Sequence, residues 1–304
     1  MKIVVVGAGA MGSLFGALLA ESGENVRLYD IWEEHVKAVN EKGLGIERDG
    51  KVRTVKIDAT TDKKQIGKAD LVIIFVKSTH TDVAAMIACE ILQNKGFVLT
   101  LQNGMGNADI IAQVIDPERI IAGTTSHGAT MLGPGNIRHA GTGQTLVGIW
   151  SDSEKAGIGK IVDVFNKAGI ATETVDDVRK VIWEKLLVNV GINAITALTG
   201  IKNGMILDLT ATKDLSRVAV EEAMEVARSQ GVKVADNTVE HVFRVAEATG
   251  VNRSSMGQDV DNKRQTEISV INGAVVREAQ KHGIHVPVNR TLTALIETMQ
   301  AHYE

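Results

Sequence analysis

Cysteine is nearly missing from this 304-residue chain. Cys89 stands alone, so no disulfide can form within the chain, and the composition fits a reducing, cytoplasmic setting. Three prolines leave nothing for a proline-rich linker and predict long regular elements. No unbroken apolar run reaches the length of about 18 residues needed for a spanning helix, so no membrane span is expected. Charge is balanced, at −4 net, which speaks against a general binder of nucleic acid or other polyanions. Neither an H-E-x-x-H pattern nor a Cys/His ligand spacing occurs, so no metal site is expected. Internal repeats and low-complexity segments are also absent.

Length is plentiful, and two domains are expected. Lys2-Ile3-Val4-Val5-Val6 is an apolar, β-branched run of the kind found in buried parallel strands. Gly7-Ala8-Gly9-Ala10-Met11-Gly12 follows, then an apolar helix to about Ser22. The run from Ser13 to Ala20 resembles the apolar region of a signal peptide, but that reading leaves the glycines unexplained. Between a strand and a helix they form G-x-G-x-x-G, and each has a task. Gly7 permits the tight turn, Gly9 lets the backbone approach a pyrophosphate, and Gly12 lets helix and strand pack closely. Residues Gly7, Ala8, Gly9, Ala10, Met11 and Gly12 are therefore the expected dinucleotide cradle. The next strand, Asn25 to Tyr29, ends at Asp30. A carboxylate about 20 residues past the glycines accepts from ribose hydroxyls and repels a 2′-phosphate. No Lys or Arg follows before Lys37, so Asp30 favours NADH over NADPH.

Residues 44–61 read as two short strands with a turn at Asp49-Gly50. Leu71 to Val76 is a second buried strand, with Lys77 at its carboxyl end, where open parallel sheets bind ligands. Thr81 to Leu92 is helical, and Cys89 there reads as a packing residue. Phe97 to Leu101 is another strand, followed by Gln102-Asn103-Gly104-Met105-Gly106 and a helix from about Ala108. Asn103 thus sits at the sheet's carboxyl edge. A strand begins at Ile120, Gly133-Pro134-Gly135 is a turn, and residues 137–149 alternate like a hairpin. The strand pattern stops at Val175. The expected boundary separates a dinucleotide-binding domain, 1–175, from a helical substrate domain, 176–304.

Helical periodicity then covers 178–198, 208–230, 236–249, 255–282 and 289–303. In the first of these, Lys185, Asn189 and Asn193 recur every fourth residue and form one stripe among Leu186, Leu187, Val188, Val190 and Ile192. Burying an ammonium and two carboxamides in such company costs several kcal/mol unless something pairs with them. The fold or a polar ligand must do so. Asn203, before Gly204, reads as a helix cap or a ligand contact. Ser255-Met256-Gly257-Gln258 matches a capping box, with Ser255 as N-cap of a helix running to His282 and about 40 Å long. Glu267 falls in its middle, either solvated or paired with a base.

Taken together, these residues resemble the ketopantoate reductase (2-dehydropantoate 2-reductase) family. The resemblance runs through Gly7 to Gly12, Gln102 to Gly106, His127-Gly128-Ala129, Gly133-Pro134-Gly135, Trp183 to Asn193, Asn203-Gly204, Ser254 to Asp259, Arg264 to Ile268 and Ile271-Asn272-Gly273. It implies an α/β fold: an N-terminal Rossmann-type doubly wound sheet and a C-terminal all-helical domain like that of 6-phosphogluconate dehydrogenase, with the active site in the cleft between. It implies reduction of 2-dehydropantoate to (R)-pantoate by NAD(P)H, in pantothenate and coenzyme A biosynthesis. Lys185 falls on the family's catalytic lysine, the proton donor to the developing alkoxide. The substrate-binding amides fall on Asn103, Asn189, Asn193 and Asn203, the substrate-contacting serine on Ser255. Glu267 matches the glutamate that helps hold cofactor and substrate, and Asn103 serves the cofactor too. Lys77 and Ala129 match cofactor-loop positions. Asp30 is a departure, because members using NADPH usually carry a basic residue there.

A sibling reading is an NADH-dependent D-2-hydroxy acid dehydrogenase acting on another 2-keto acid. Asp30 speaks for it; Asn189, Asn193, Asn203 and Ser255 speak for ketopantoate. A third reading is a redox sensor that holds NADH without turnover, against which the Lys185 stripe argues. The expected partner is a small 2-keto acid, not nucleic acid or a membrane. The C-terminal helices leave room for a homodimer without requiring one.

Overall fold

The computed structural model describes residues 1–151 and 157–303. Contacts divide the chain into two compact units, Met1–Gln102 with Asn107–Val178, and Asn103–Gly106 with Arg179–Glu304. The change near residue 178 lies three residues past the expected boundary. The capture of Asn103–Gly106 by the second unit has no signal in the local sequence. It is held there by Met105, whose N–H donates to the Val270 carbonyl at 2.9 Å, and by Gly104, which lies flush against Val270.

In the first unit, β1 (Lys2–Val6), β2 (Asn25–Tyr29), β5 (Asp58–Thr60), β6 (Ala69–Ile74), β7 (Leu92–Thr100), β8 (Ile120–Thr125), β11 (Thr145–Ile149) and β12 (Thr172–Thr174) form one sheet in the order β12-β11-β8-β7-β6-β1-β2-β5. From β5 to β8 all pairings are parallel; β11 runs antiparallel to β8. Val4, Val5 and Val6 of β1 and Leu71 to Ile74 of β6 are buried, as a sheet covered on both faces requires. The chain builds outward from β1 in both directions, so the β1/β6 edge is the switch point where such sheets bind ligands.

A second sheet, in the order β4-β3-β10-β9, was not evident from the sequence. It contains β3 (Leu44–Arg48), β4 (Lys51–Val55), β9 (Gly128–Gly133) and β10 (Asn136–Gly141). The β3–β4 turn is Asp49-Gly50, both at positive φ, as a two-residue hairpin needs. The hairpin expected over 137–149 is corrected. Ile137 to His139 lie in β10, paired with β9 and β3, whereas Thr145 to Gly148 lie in β11 of the large sheet. Alternation gives a strand's faces and not its partner. Cys89, expected as a packing residue, is corrected as well: on α3 (Thr81–Ile91) it is exposed.

The second unit is helical: α6 (Val178–Thr199), α7 (Thr210–Ser229), α8 (Thr238–Ala248), α9 (Ser255–Asp261), α10 (Asn272–His282) and α11 (Pro287–Gln300). By length and composition α6 could cross a bilayer. Here Trp183, Leu186, Leu187, Val190 and Ile195 are buried in the unit's core, with Ala223, Val242 and Ile296 among their neighbours. α10 ends at His282 with Gly283 as its left-handed cap, and Pro287 beyond it opens α11, where its missing N–H is no loss.

The long helix expected over 255–282 is broken. After α9, Lys263 adopts φ +50°; its N–H reaches the Val260 carbonyl at 3.0 Å, and the Arg264 N–H reaches that of Asp259 at 2.8 Å. This is a Schellman ending with lysine in place of the customary glycine, which is why the sequence did not betray it. Glu267 therefore lies between two helices, preceding a 3-10 turn at Ile268–Val270.

Candidate active site

The glycine turn expected to hold a dinucleotide is built by strand register. β1 and β2 pair from Lys2↔Asn25 to Val6↔Tyr29, so their carboxyl ends coincide. Gly7 then donates its N–H to the Tyr29 carbonyl at 2.9 Å. Asp30, 22 residues away in sequence, comes to accept the Ala8 N–H at 2.6 Å through Oδ2 and the Trp32 N–H at 2.9 Å through Oδ1. Each carboxylate oxygen keeps a further lone pair for a ribose hydroxyl.

The three glycines differ in what surrounds them. Gly7, at φ +96°, has no room for a Cβ against Val76. A Cβ on Gly12 would stand 1.9 Å from the Gly7 carbonyl oxygen. A Cβ on Gly9 would meet nothing within 4 Å. Gly9 caps α1 (Ala10–Glu21), whose first N–H groups lack side-chain caps. Open space above a helix N-terminus, bounded by backbone N–H groups, fits a pyrophosphate. Ala8 is buried and Ala10 and Met11 are half-buried, so these positions contribute backbone more than side chain. Lys77 is exposed just past β6, beside the Val76 that abuts Gly7. Ala129 lies in β9, paired with His139, and packs against the core of this unit.

The second unit carries the other group. Lys185, Asn189 and Asn193 occupy one stripe of α6, as the spacing predicted. Lys185 keeps partial solvent access among dense surroundings. Burial pushes its ammonium down to about 8, while the Glu267 carboxylate acts in the opposite direction. Glu267 Oε2 also accepts from Asn103 Nδ2 at 3.2 Å. The fold thus brings together Asn103, Lys185 and Glu267, which lie far apart in sequence.

Two of the carboxamides have unsatisfied buried atoms. Asn193 is 5% exposed, and its Nδ2 has no partner. Asn203 is 8% exposed, and its Oδ1 has none. Asn203 Nδ2 donates to Thr249 Oγ1 at 3.0 Å, and that hydroxyl donates to the Val245 carbonyl at 2.7 Å. The amide orientation is thereby fixed, leaving Oδ1 as a free acceptor. A buried donor and a buried acceptor left open cost about 1–3 kcal/mol each unless a ligand completes them.

The cap expected at Ser255 is corrected. Ser254 is the N-cap of α9, its Oγ accepting the Gly257 N–H at 3.0 Å and lying 2.7 Å from Thr196 Oγ1. Gln258 donates to the Arg253 carbonyl, so no reciprocal capping box forms. Ser255 is exposed in the first turn, its hydroxyl released from the capping role. Ser254→Ala should therefore cost about 1–2 kcal/mol of stability, whereas Ser255→Ala should leave the thermal midpoint within the range of a neutral surface change, about ±0.5 kcal/mol. Thermal denaturation of the two variants checks this. Arg253, passed over in the sequence, ties α9 to α6: it pairs with Asp261 and donates to the Thr196 and Ile201 carbonyls. Ser13 and His35 beside the glycine turn were also passed over, because neither belongs to a recognised motif.

A glycine turn at a parallel-sheet switch point, with a helical unit carrying a lysine among carboxamides in the same chain, defines a dinucleotide-dependent oxidoreductase. Residues 3–152 match the family described as ketopantoate reductase PanE/ApbA, and residues 177–300 match its C-terminal part. The chain belongs to the ketopantoate reductase PanE/ApbA family. The 2-dehydropantoate 2-reductase of Halobacterium salinarum is 39% identical over 301 residues, with 99% of each chain covered. That of Pyrococcus abyssi is 37% identical over 301 residues, covering 99% of this chain and 98% of the relative. A PanE/ApbA family ketopantoate reductase from Ralstonia eutropha JMP134 superposes with a TM-score of 0.91 at 34% identity, covering 99% of each chain. D-mandelate dehydrogenase, solved in a ternary structure with NADH and anilino(oxo)acetate, gives 0.92 at 29%, again over 99% of each chain.

Proposed function

We propose that this protein reduces 2-dehydropantoate to (R)-pantoate, with NADH preferred over NADPH. The observation that carries the substrate assignment is the pair of unsatisfied buried atoms on Asn193 and Asn203. Asn193 Nδ2 is a donor suited to the substrate's carboxylate or carbonyl. Asn203 Oδ1 is an acceptor and calls for a hydroxyl on the substrate beyond the keto acid itself, which ketopantoate has. A bound nicotinamide dinucleotide supplies the hydride. Lys185 holds the proton that the carbonyl oxygen takes up, and its positive charge opposes the negative charge growing there. Glu267 orients Asn103 and supports the charged state of Lys185. Ser255 contacts the keto acid, so Ser255→Ala raises KM for it without a stability cost. Asp30 supports NADH because its carboxylate sits where a 2′-phosphate would be repelled.

The likeness to D-mandelate dehydrogenase favours a second reading, reduction of a 2-keto acid lacking the extra hydroxyl. NADH oxidation followed with ketopantoate and with phenylglyoxylate decides between them. A kcat/KM at least about tenfold higher for ketopantoate is the expected result, since an unpaired buried acceptor penalises the other substrate. A preference for phenylglyoxylate would overturn the assignment.

The pH dependence has a definite sign. Reduction needs Lys185 protonated, and the group titrates at about 8. kcat/KM for reduction should be level below that pH and fall about tenfold per unit above it, while oxidation of pantoate rises over the same range. Glu267→Gln removes the charge that holds the proton on, so the inflection should move to lower pH. A profile unmoved by this variant would separate Glu267 from Lys185.

A further inference from the structure

His35 is completely buried, on α2 (Glu33–Lys42), and the chemistry above makes no use of it. Its Nδ1 accepts the Gly135 N–H at 3.0 Å. That nitrogen therefore carries no proton, and Nε2 does. Nε2 lies 3.2 Å from Ser13 Oγ, so it donates there. The Ser13 hydroxyl in turn donates to the Ala8 carbonyl at 2.8 Å. On the other side of the same residue, the Ala8 N–H is held by Asp30. Both polar groups of Ala8, the residue between Gly7 and Gly9, are thus fixed, one by the carboxylate and one by the histidine relay. Gly135 belongs to the β9–β10 turn, at φ +74°, and sits against Ala38 of α2. The relay leaves the histidine a single workable tautomer.

We propose that His35, acting through Ser13, is a positioning residue for dinucleotide binding: it holds the glycine turn in the conformation that receives the pyrophosphate. The inference rests on the dinucleotide reading above. A proton added to Nδ1 would set two donors, Nδ1–H and the Gly135 N–H, against each other and break the relay at its far end. Asp30 is the charged group whose field favours that proton, and burial, the larger influence, opposes it. Residues 10–13 of α1 and 133–136 of the β9–β10 turn carry no ionisable side chain. On α2 itself Glu33 and Glu34 flank the histidine in sequence. The relay therefore stays intact at neutral pH and opens only below the ordinary histidine range.

The test uses ADP-ribose, which lacks the nicotinamide and reads the cradle alone, titrated into the full chain by calorimetry. Ser13→Ala and His35→Leu should weaken its binding by about 5- to 20-fold, the worth of one buried hydrogen bond. Both should raise KM for NADH and leave KM for the keto acid unchanged. His35→Gln, whose amide can accept from Gly135 and donate to Ser13, should restore binding to within about threefold of the parent. The parent's affinity should decline only at pH values below the ordinary histidine range, and that of His35→Gln should not. If His35→Leu does not fold, Ser13→Ala and the pH comparison carry the test. Parent-like ADP-ribose binding by Ser13→Ala, or the same acid decline in His35→Gln, overturns the assignment. A parent chain that binds no ADP-ribose overturns the dinucleotide reading itself.

Discussion

Lys185→Ala is expected to lower kcat by about 10³-fold, the scale of a lost general acid combined with a lost positive charge at the carbonyl oxygen. NADH affinity should survive, because the cradle belongs to the first unit and Lys185 to the second. Lys185→Arg makes the test sharper. Guanidinium keeps the charge and cannot give up a proton near neutral pH. It should recover a minor part of the loss, and its reduction rate should lack the inflection near pH 8. Steady-state kinetics with ketopantoate and fluorescence titration with NADH supply both readouts. Turnover of Lys185→Ala within tenfold of the parent would remove this residue from the mechanism.

The second large effect separates two glycines of one motif. Gly12→Ala places a methyl 1.9 Å from the Gly7 carbonyl oxygen and 3.2 Å from a Val5 methyl. Backbone cannot yield as a side-chain tip does, so α1 must shift off the sheet, at a cost of about 3 kcal/mol or more. Both the thermal midpoint and NADH binding should collapse. Gly9→Ala meets no protein atom within 4 Å and should leave the thermal midpoint alone. It should still weaken NADH by about 100-fold, because the methyl occupies the space through which the pyrophosphate approaches the helix N-terminus. Equal thermal loss in both variants would mean that the two glycines share a packing role only.

These contrasts mark how far a sequence can be read. The β1 run, the glycine turn and the Asp30 carboxylate were legible because parallel register brings strand ends together whatever the details of the loops. The stripe of Lys185, Asn189 and Asn193 was legible for the same kind of reason: a helix repeats every 3.6 residues. The break between α9 and α10 was not legible. It turns on a lysine in a left-handed conformation that glycine normally takes, and only the two carbonyl contacts of the Schellman ending reveal it. The cap fell one residue from where the S-x-x-Q pattern put it, because Ser254 had a second partner in Thr196, 58 residues away.

By itself, then, the sequence determined most of the strands and helices, the glycine turn between β1 and α1 and the residue types able to donate a proton. These follow from local periodicity and backbone freedom, which act over a few residues. Tertiary structure alone decided that Asn103–Gly106 joins the helical unit, that Glu267 leaves the helix to act on Lys185, that Asn193 and Asn203 each keep one buried atom open, and that His35 grips the glycine turn through Ser13. Each of these depends on which distant groups satisfy, or fail to satisfy, a buried charge or hydrogen bond, and such pairings are settled only when the chain closes on itself.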